Sequence, residues 1–186
     1  TEYNIIGNTD INFTGSFDGQ GYAIRNLSFT TSEAINDVGL FGCIVGAVIQ
    51  DLGVENVSLT TAGNYVGGLA GWYYEGGALN CYVTGFVSGN NYIGGLVGLN
   101  EGVLVNCNAN SSVSGTTYIG GLIGFNDVGC LTACYSAGSV SGSSYVGGLI
   151  GQNDDGILTV CYATGSVGGT SYTGGLLGKN RYGSLN

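Results

Sequence analysis

Carboxylates recur at one point of a repeating chain. Glu75, Glu101, Asp127 and the pair Asp154 and Asp155 each fall in the turn after a Gly-Leu-x-Gly block, and Arg181 takes that place in the last, partial repeat. If each repeat forms one layer of a stack, neighbouring carboxylates stand ~4.8 Å apart and repel by about 1 kcal/mol per pair even in water. A divalent cation held by oxygen ligands relieves such repulsion, so these five residues are the candidates for a metal site. The competing reading is a solvated acidic edge that resists sideways aggregation; with no RTX-type calcium repeat present it is the one adopted, and no cofactor is expected.

Other chemistry is limited by what the chain lacks. There is no His among the 186 residues, which excludes a Ser-His-Asp triad, a Cys-His pair and a His-Glu-x-x-His zinc motif. Polysaccharide cleavage needs only Asp with Arg or Lys, or two carboxylates, but acidic residues in phase with a repeat suit a scaffold better than a unique catalytic cluster. No enzyme is expected. Cys81, Cys107, Cys134 and Cys161 form a repeat column whose Cβ vectors run parallel, so buried free thiols suit them better than disulfides between layers. Cys130 and Cys134 are the best candidates for a bond, and Cys43 has no obvious partner. Asn12, Asn26, Asn56 and Asn110 each open an Asn-x-Ser/Thr triplet and are candidate glycosylation sites.

The elements that position these residues follow from the repeat. A Tyr-x-Gly-Gly-Leu-x-Gly block begins at Tyr65, Tyr92, Tyr118, Tyr145 and Tyr172, at steps of 27, 26, 27 and 27 residues. With 38 Gly, no Pro and 8% charged residues, the composition is that of strands and tight turns. Within a repeat, Cys81, Val83, Gly85 and Val87 alternate with Tyr82, Thr84, Phe86 and Ser88, which assigns the first set to a core and the second to water or a partner. The expected fold is all-β, a parallel β-solenoid of about 27 residues per coil, right-handed by the general preference of parallel crossovers. Residues 1–36 read as an N-terminal capping coil and residues 37–186 as one continuous solenoid domain. Six or seven coils give a rod roughly 30 Å long. The Gly column at Gly68, Gly95, Gly121, Gly148 and Gly175 marks corners that need either positive φ or a close approach of facing sheets. The Tyr column is expected to stack ring on ring.

These residues resemble the GLUG-motif repeats, named for Gly-Leu-apolar-Gly. The resemblance rests on Gly39-Leu40-Phe41-Gly42, Gly68-Leu69-Ala70-Gly71, Gly95-Leu96-Val97-Gly98, Gly121-Leu122-Ile123-Gly124, Gly148-Leu149-Ile150-Gly151 and Gly175-Leu176-Leu177-Gly178, with Asn100, Asn126, Asn153 and Asn180 two residues beyond the last four. It covers about Asp37 to the end. It implies a β-solenoid region of large secreted or cell-surface proteins of bacteria and archaea, including adhesin-like chains and the non-catalytic part of some immunoglobulin-cleaving metallopeptidases. It carries no known catalytic residue.

The partners expected are few. A net charge of −9 with only Arg25, Lys179 and Arg181 as basic residues disfavours nucleic acid and anionic lipid. No apolar run approaches the roughly 20 residues of a membrane-spanning helix, so no membrane insertion is expected. The chain has no Met and reads as part of something longer. The expected role is structural, a rigid extracellular rod or adhesin-like segment whose last coil either continues in a parent chain or stacks head to tail into a filament. Glycans are a further candidate partner. The alternative is a carbohydrate- or ice-binding solenoid, for which the outward row Thr84, Asn110, Ala137, Thr164 is irregular, and the last alternative is a polysaccharide-active enzyme.

Overall fold

The computed structural model describes residues 4–186, and they contain strands and turns but no helix. The chain winds into a parallel β-solenoid with four sheets along its sides. We name each sheet by the residue that marks it. The tyrosine sheet stacks Val66–Gly67, Asn91–Gly94, Thr117–Gly120, Ser144–Gly147 and Ser171–Gly174. The asparagine sheet stacks Phe41–Val45, Ala70–Tyr74, Val97–Asn100, Ile123–Asp127, Ile150–Asp154 and Leu177–Arg181. The leucine sheet holds seven strands, from Ser16–Asp18 to Ser184–Leu185. The cysteine sheet runs from Ala23–Arg25 through Gly53–Thr60, Tyr82–Ser88 and Asn108–Ser114 to Tyr162–Ala163. Seven layers at ~4.8 Å per step give the rod of roughly 30 Å read from the repeat.

Identical repeat positions meet in register, so every inward position becomes a column. Leu40, Leu69, Leu96, Leu122 and Leu149 are buried, as are Leu104, Leu131 and Leu158 on the leucine sheet. Val66, Ile93, Ile119 and Val146 line the tyrosine side, and Cys81, Val83 and Val87 bury the predicted face of the cysteine sheet. The core is therefore a bundle of parallel columns, each coil covering the apolar face of the last. Residues 16–30 add strands to two of the sheets through Ser16–Asp18 on Val48–Gln50 and Ala23–Arg25 on Gly53 to Glu55. One irregularity interrupts the register: Val54 pairs with Val83 but Val57 with Gly85, which leaves an extra residue in the earlier strand, where Asn56 takes φ 55°.

The glycine column works by close approach, and the positive-φ alternative is corrected. Gly68, Gly95, Gly121, Gly148 and Gly175 do not have positive φ. A Cβ on Gly68 would lie 2.8 Å from the Gly95 carbonyl oxygen, and on Gly95, Gly121 or Gly148 it would collide with the same oxygen of the next coil. The facing strand presses from the other side, through Val83, Ala109, Ser136 and Ala163 in turn. Positive φ falls instead on the tyrosines: Tyr65, Tyr92, Tyr118, Tyr145 and Tyr172 all lie at φ 49–60°. A bulky residue there costs about 1–2 kcal/mol, comparable to the ~0.5–1.5 kcal/mol that each ring stack returns.

The column gives an internal control. A Cβ on Gly175 would meet nothing within 4 Å. We expect Gly148→Ala to lower stability by about 3 kcal/mol and Gly175→Ala to change it by less than about 0.5 kcal/mol, measured by urea denaturation of both variants.

Candidate functional site

The acidic turn does not assemble as one ladder. Asp127 pairs in register with Asp154, and Asp154 with Arg181, whose Nε lies 3.1 Å from Asp154 Oδ1. Glu75 and Asp155 sit one residue further on, in a left-handed turn shared with Val128 and Tyr182, and are exposed. The coil that starts at Tyr92 is one residue shorter at this turn, and its Glu101 bends back to accept a hydrogen bond from Trp72 Nε1 at 2.9 Å. Burial holds the Glu101 carboxyl above its usual range, Trp72 pulls it down, and Asp127 and Glu75 add to the rise. Among the described residues no three Asp, Glu or Cys side chains converge where a metal ion could sit. The five candidates are thus divided between an ion pair, an indole and open solvent.

The chemical centre of the stack is an amide ladder. Asn100, Asn126 and Asn153 are fully buried. Asn100 Nδ2 donates to Asn126 Oδ1 at 2.7 Å, Asn126 Nδ2 to Asn153 Oδ1 at 2.7 Å, and Asn153 Nδ2 to Asn180 Oδ1 at 2.8 Å. Each Nδ2 also donates to the carbonyl that closes its own turn, at Gly102, Gly129, Gly156 and Gly183. One side chain per coil therefore fastens the turn and welds it to the next layer. In register with Asn100, Tyr73 ends the ladder; its hydroxyl reaches Gly77 O at 2.6 Å and Ala47 O at 3.0 Å, and burial pushes it well above its ordinary range. These asparagines stand in phase in the sequence, but a polar residue in an apolar chain reads as surface, so their role was not assigned.

The tyrosines form the second ladder. Successive rings from Tyr65 to Tyr172 stack at centroid distances of 4.8, 4.9, 4.9 and 4.7 Å, within 18° of parallel. Phe125 packs edge-on against Tyr92 and Tyr118, and Lys179 Nζ lies 5.5 Å from Tyr145 and 5.6 Å from Tyr172. Because the ring faces meet one another, the ladder offers solvent a row of ring edges and hydroxyls. Asp37 occupies the tyrosine position in the coil before Tyr65, with φ 55°. Desolvation by burial raises its carboxyl from 3.8 to about 6.

The cysteines are free, and the expected Cys130–Cys134 bond is corrected. Cys130 belongs to the outer face of the leucine sheet, in register with the exposed Val103 and Ile157, whereas Cys134 is buried. Between them Ala133 takes φ 54° and turns the corner. In the core column, each thiol donates to carbonyls, Cys81 to Leu79 and Ile49 and Cys107 to Val105 and Ala78, at 3.3–3.6 Å. The adjoining Cys134 and Cys81 thiols, together with burial, push the Cys107 thiol well up. Desolvation and the Asp37 charge raise Cys43 to about 11.

Of the four glycosylation candidates, Asn110 is exposed, Asn12 is half-buried, and Asn26 and Asn56 are tied together, Asn56 Nδ2 donating to Asn26 Oδ1 at 2.8 Å. The outward hydroxyl array is broken as well. Thr84 Oγ1 accepts from the Asn56 backbone N–H, and Phe86 stands 41% exposed in the row beside it.

Comparison with known proteins agrees with this architecture. Residues 142–168 match a family model described as the GLUG motif. A 90-residue stretch, 48% of this chain, is 46% identical to Halomucin of Haloquadratum walsbyi and corresponds to 1% of that protein. The whole chain superimposes, with a TM-score of 0.77 and 22% identity, on the crystal structure of a candidate immunoglobulin A1 protease from Bacteroides ovatus, of which it spans 64%. That likeness establishes the fold.

Two measurements test the ladders. Asn126→Ala strands buried partners on both sides and should cost roughly 3 kcal/mol, against about 1 kcal/mol for the exposed Asn180→Ala, read from thermal or urea melts. Asp37 binds its proton more tightly folded than unfolded, so stability should fall as pH rises from about 4 to about 6 and stay lower above that. Asp37→Asn should abolish this fall, raising the melting temperature at pH 7 but not at pH 4. Parallel melting curves for the two proteins across that range would disprove it.

Proposed function

We propose that this GLUG-motif solenoid is a structural repeat module of an extracellular or cell-surface chain, a stiff segment that sets distance and displays its outer faces at fixed spacing. The observation that carries this reading is the use of the polar repeat residues. The asparagines and most of the tyrosine ring faces are spent on contacts along the axis, coil to coil, as the mechanics of a rod require. A setting within a long chain fits this reading, since the Halomucin stretch it matches is a hundredth of that molecule. A structural rather than catalytic role agrees with the absence of His and with carboxylates divided among unrelated contacts.

The finer proposal concerns the last coil. Leu176, Leu177, Val167 and the Asn180 amide are less covered than their counterparts one layer back, and a further coil would complete their columns. That coil can come from more of the same chain or from a second copy, so head-to-tail association and an adhesin-like rod share one physical basis.

Negative-stain electron microscopy and digestion with proteinase K test both levels. The module should survive digestion as a single band, and concentrated samples should form end-to-end rods repeating at about 30 Å. Rapid cleavage through the central coils would refute the structural reading. Protease-resistant particles that stay monomeric at every concentration would refute self-association alone.

A further inference from the structure

In a repeat protein, departures from the repeat show where something other than stacking is at work, and here several gather at one place. On the asparagine sheet the outward column reads Cys43, Trp72, Leu99, Phe125, Gln152, Lys179 in register. Trp72 is the only tryptophan in the chain. Beside it Tyr74 stands where later coils carry acidic residues or Arg181. The coil before adds a loop: Ile6 pairs with Phe41 and Phe13 with Ile44, so seven steps along this coil cover what three cover in the next. Its extra residues lie over Cys43 and border a cavity open to solvent on one side, of about 210 Å³, lined by Thr9, Asn12, Cys43, Val45, Trp72 and Tyr74.

The cavity is built rather than incidental. Asn8 Oδ1 accepts from the backbone N–H groups of Asp10 and Ile11 at 2.9 and 2.8 Å, and Asn8 N–H donates to Ile11 O, which closes the loop on itself. Trp72 is fixed by its hydrogen bond to Glu101. Its ring and that of Tyr74 meet edge to face, 6.2 Å apart at 73°, and form an apolar corner. The small Cys43 below the indole leaves room one layer deep. Across the corner Asn12 lines the same opening; its Oδ1 is shielded from solvent with no hydrogen-bond partner, which costs free energy until the side chain turns to meet a donor.

These features specify the ligand's chemistry. No charged side chain lines the cavity, which favours a neutral ligand. It must present an apolar C–H surface to the rings and a hydroxyl donor to Asn12, with Thr9 able to donate or accept beside it. Its volume is below that of a drug-sized site and suits one ring of sugar size. Two rings set at a corner suit a puckered ring with C–H bonds on its faces better than a flat base, which needs a slot between parallel planes. We propose that this cavity is a binding site for a single pyranose residue, stacked on Trp72 and hydrogen-bonded through a hydroxyl to Asn12. The site adds recognition to the rod and does not depend on the rod's proposed mechanical role.

Trp72 makes the test direct, since all tryptophan fluorescence reports from the cavity wall. Methyl pyranosides of glucose, galactose, mannose and N-acetylglucosamine are titrated against the intact chain, with saturation-transfer NMR as a second readout and tetramethylammonium and adenosine as controls. At least one pyranoside should shift the emission, with a dissociation constant on the order of 1 mM or below. Asn12→Ala should weaken it about tenfold with an unchanged melting temperature. Trp72→Leu, which places in this coil the residue its neighbour carries at Leu99, should abolish saturation transfer; Tyr74→Ala, at an exposed site, should weaken it in the same assay. The proposal is overturned if no pyranoside perturbs either signal, if saturation transfer survives Asn12→Ala and Trp72→Leu undiminished, or if only tetramethylammonium or adenosine binds.

Discussion

No side chain fits at the corner where the tyrosine sheet meets the asparagine sheet. Gly68, Gly95, Gly121 and Gly148 each lie between the carbonyl of the next coil and a side chain from the facing cysteine sheet, and that double contact sets how flat these coils must be. Flat coils can pair along all four sides at once, so residues one repeat apart come into register. Every other ladder in the molecule depends on this. The leucine columns close because their backbones are held at strand spacing, the amides reach one another at 2.7–2.8 Å, and the tyrosine rings stack at centroid distances of 4.8–4.9 Å.

Strain and stabilisation are placed on the same residues. The five tyrosines hold left-handed backbone that glycine would adopt more readily. Glycine there would contribute no ring, and the stack of rings compensates along the axis for what the backbone costs within each coil. The buried asparagines follow the same logic. An isolated amide in an apolar core is unfavourable, but a continuous row satisfies each member from its neighbours and from its own turn.

Much of this was legible in the sequence. The repeat step gave the coil, the alternation after Cys81 gave the buried face, and the recurrence of Tyr65 every 26 or 27 residues gave the ring stack, because in-register stacking turns any periodic residue into a column. What was not legible depends on corners, where strand alternation no longer applies. Cys130 and Cys134 are four apart and would share a face of one strand, but the left-handed Ala133 between them sends one outward and the other inward. The carboxylates likewise looked like one column until the missing residue in the turn at Glu101 and the left-handed Glu75 and Asp155 separated them. The cavity at Trp72 was hidden for another reason: its walls come from Thr9 and Asn12 in one segment and Trp72 and Tyr74 some sixty positions later, and only the fold brings them together.

The amide row also has a direction. Asn100, Asn126 and Asn153 each donate through Nδ2 towards the higher-numbered coil and each Oδ1 that accepts across a layer faces back, so the side-chain dipoles of the row point the same way along the axis. Tyr73 closes one terminus with a hydroxyl that bonds to its own surroundings, whereas Asn180 at the other spends one amide N–H on Gly183 O and has one left. The two ends of the amide row are chemically different. Two molecules meeting by their Asn180 ends would set donor against donor, while a molecule that presents an acceptor there continues the row. The rod therefore carries an orientation that a symmetric spacer of the same length would lack.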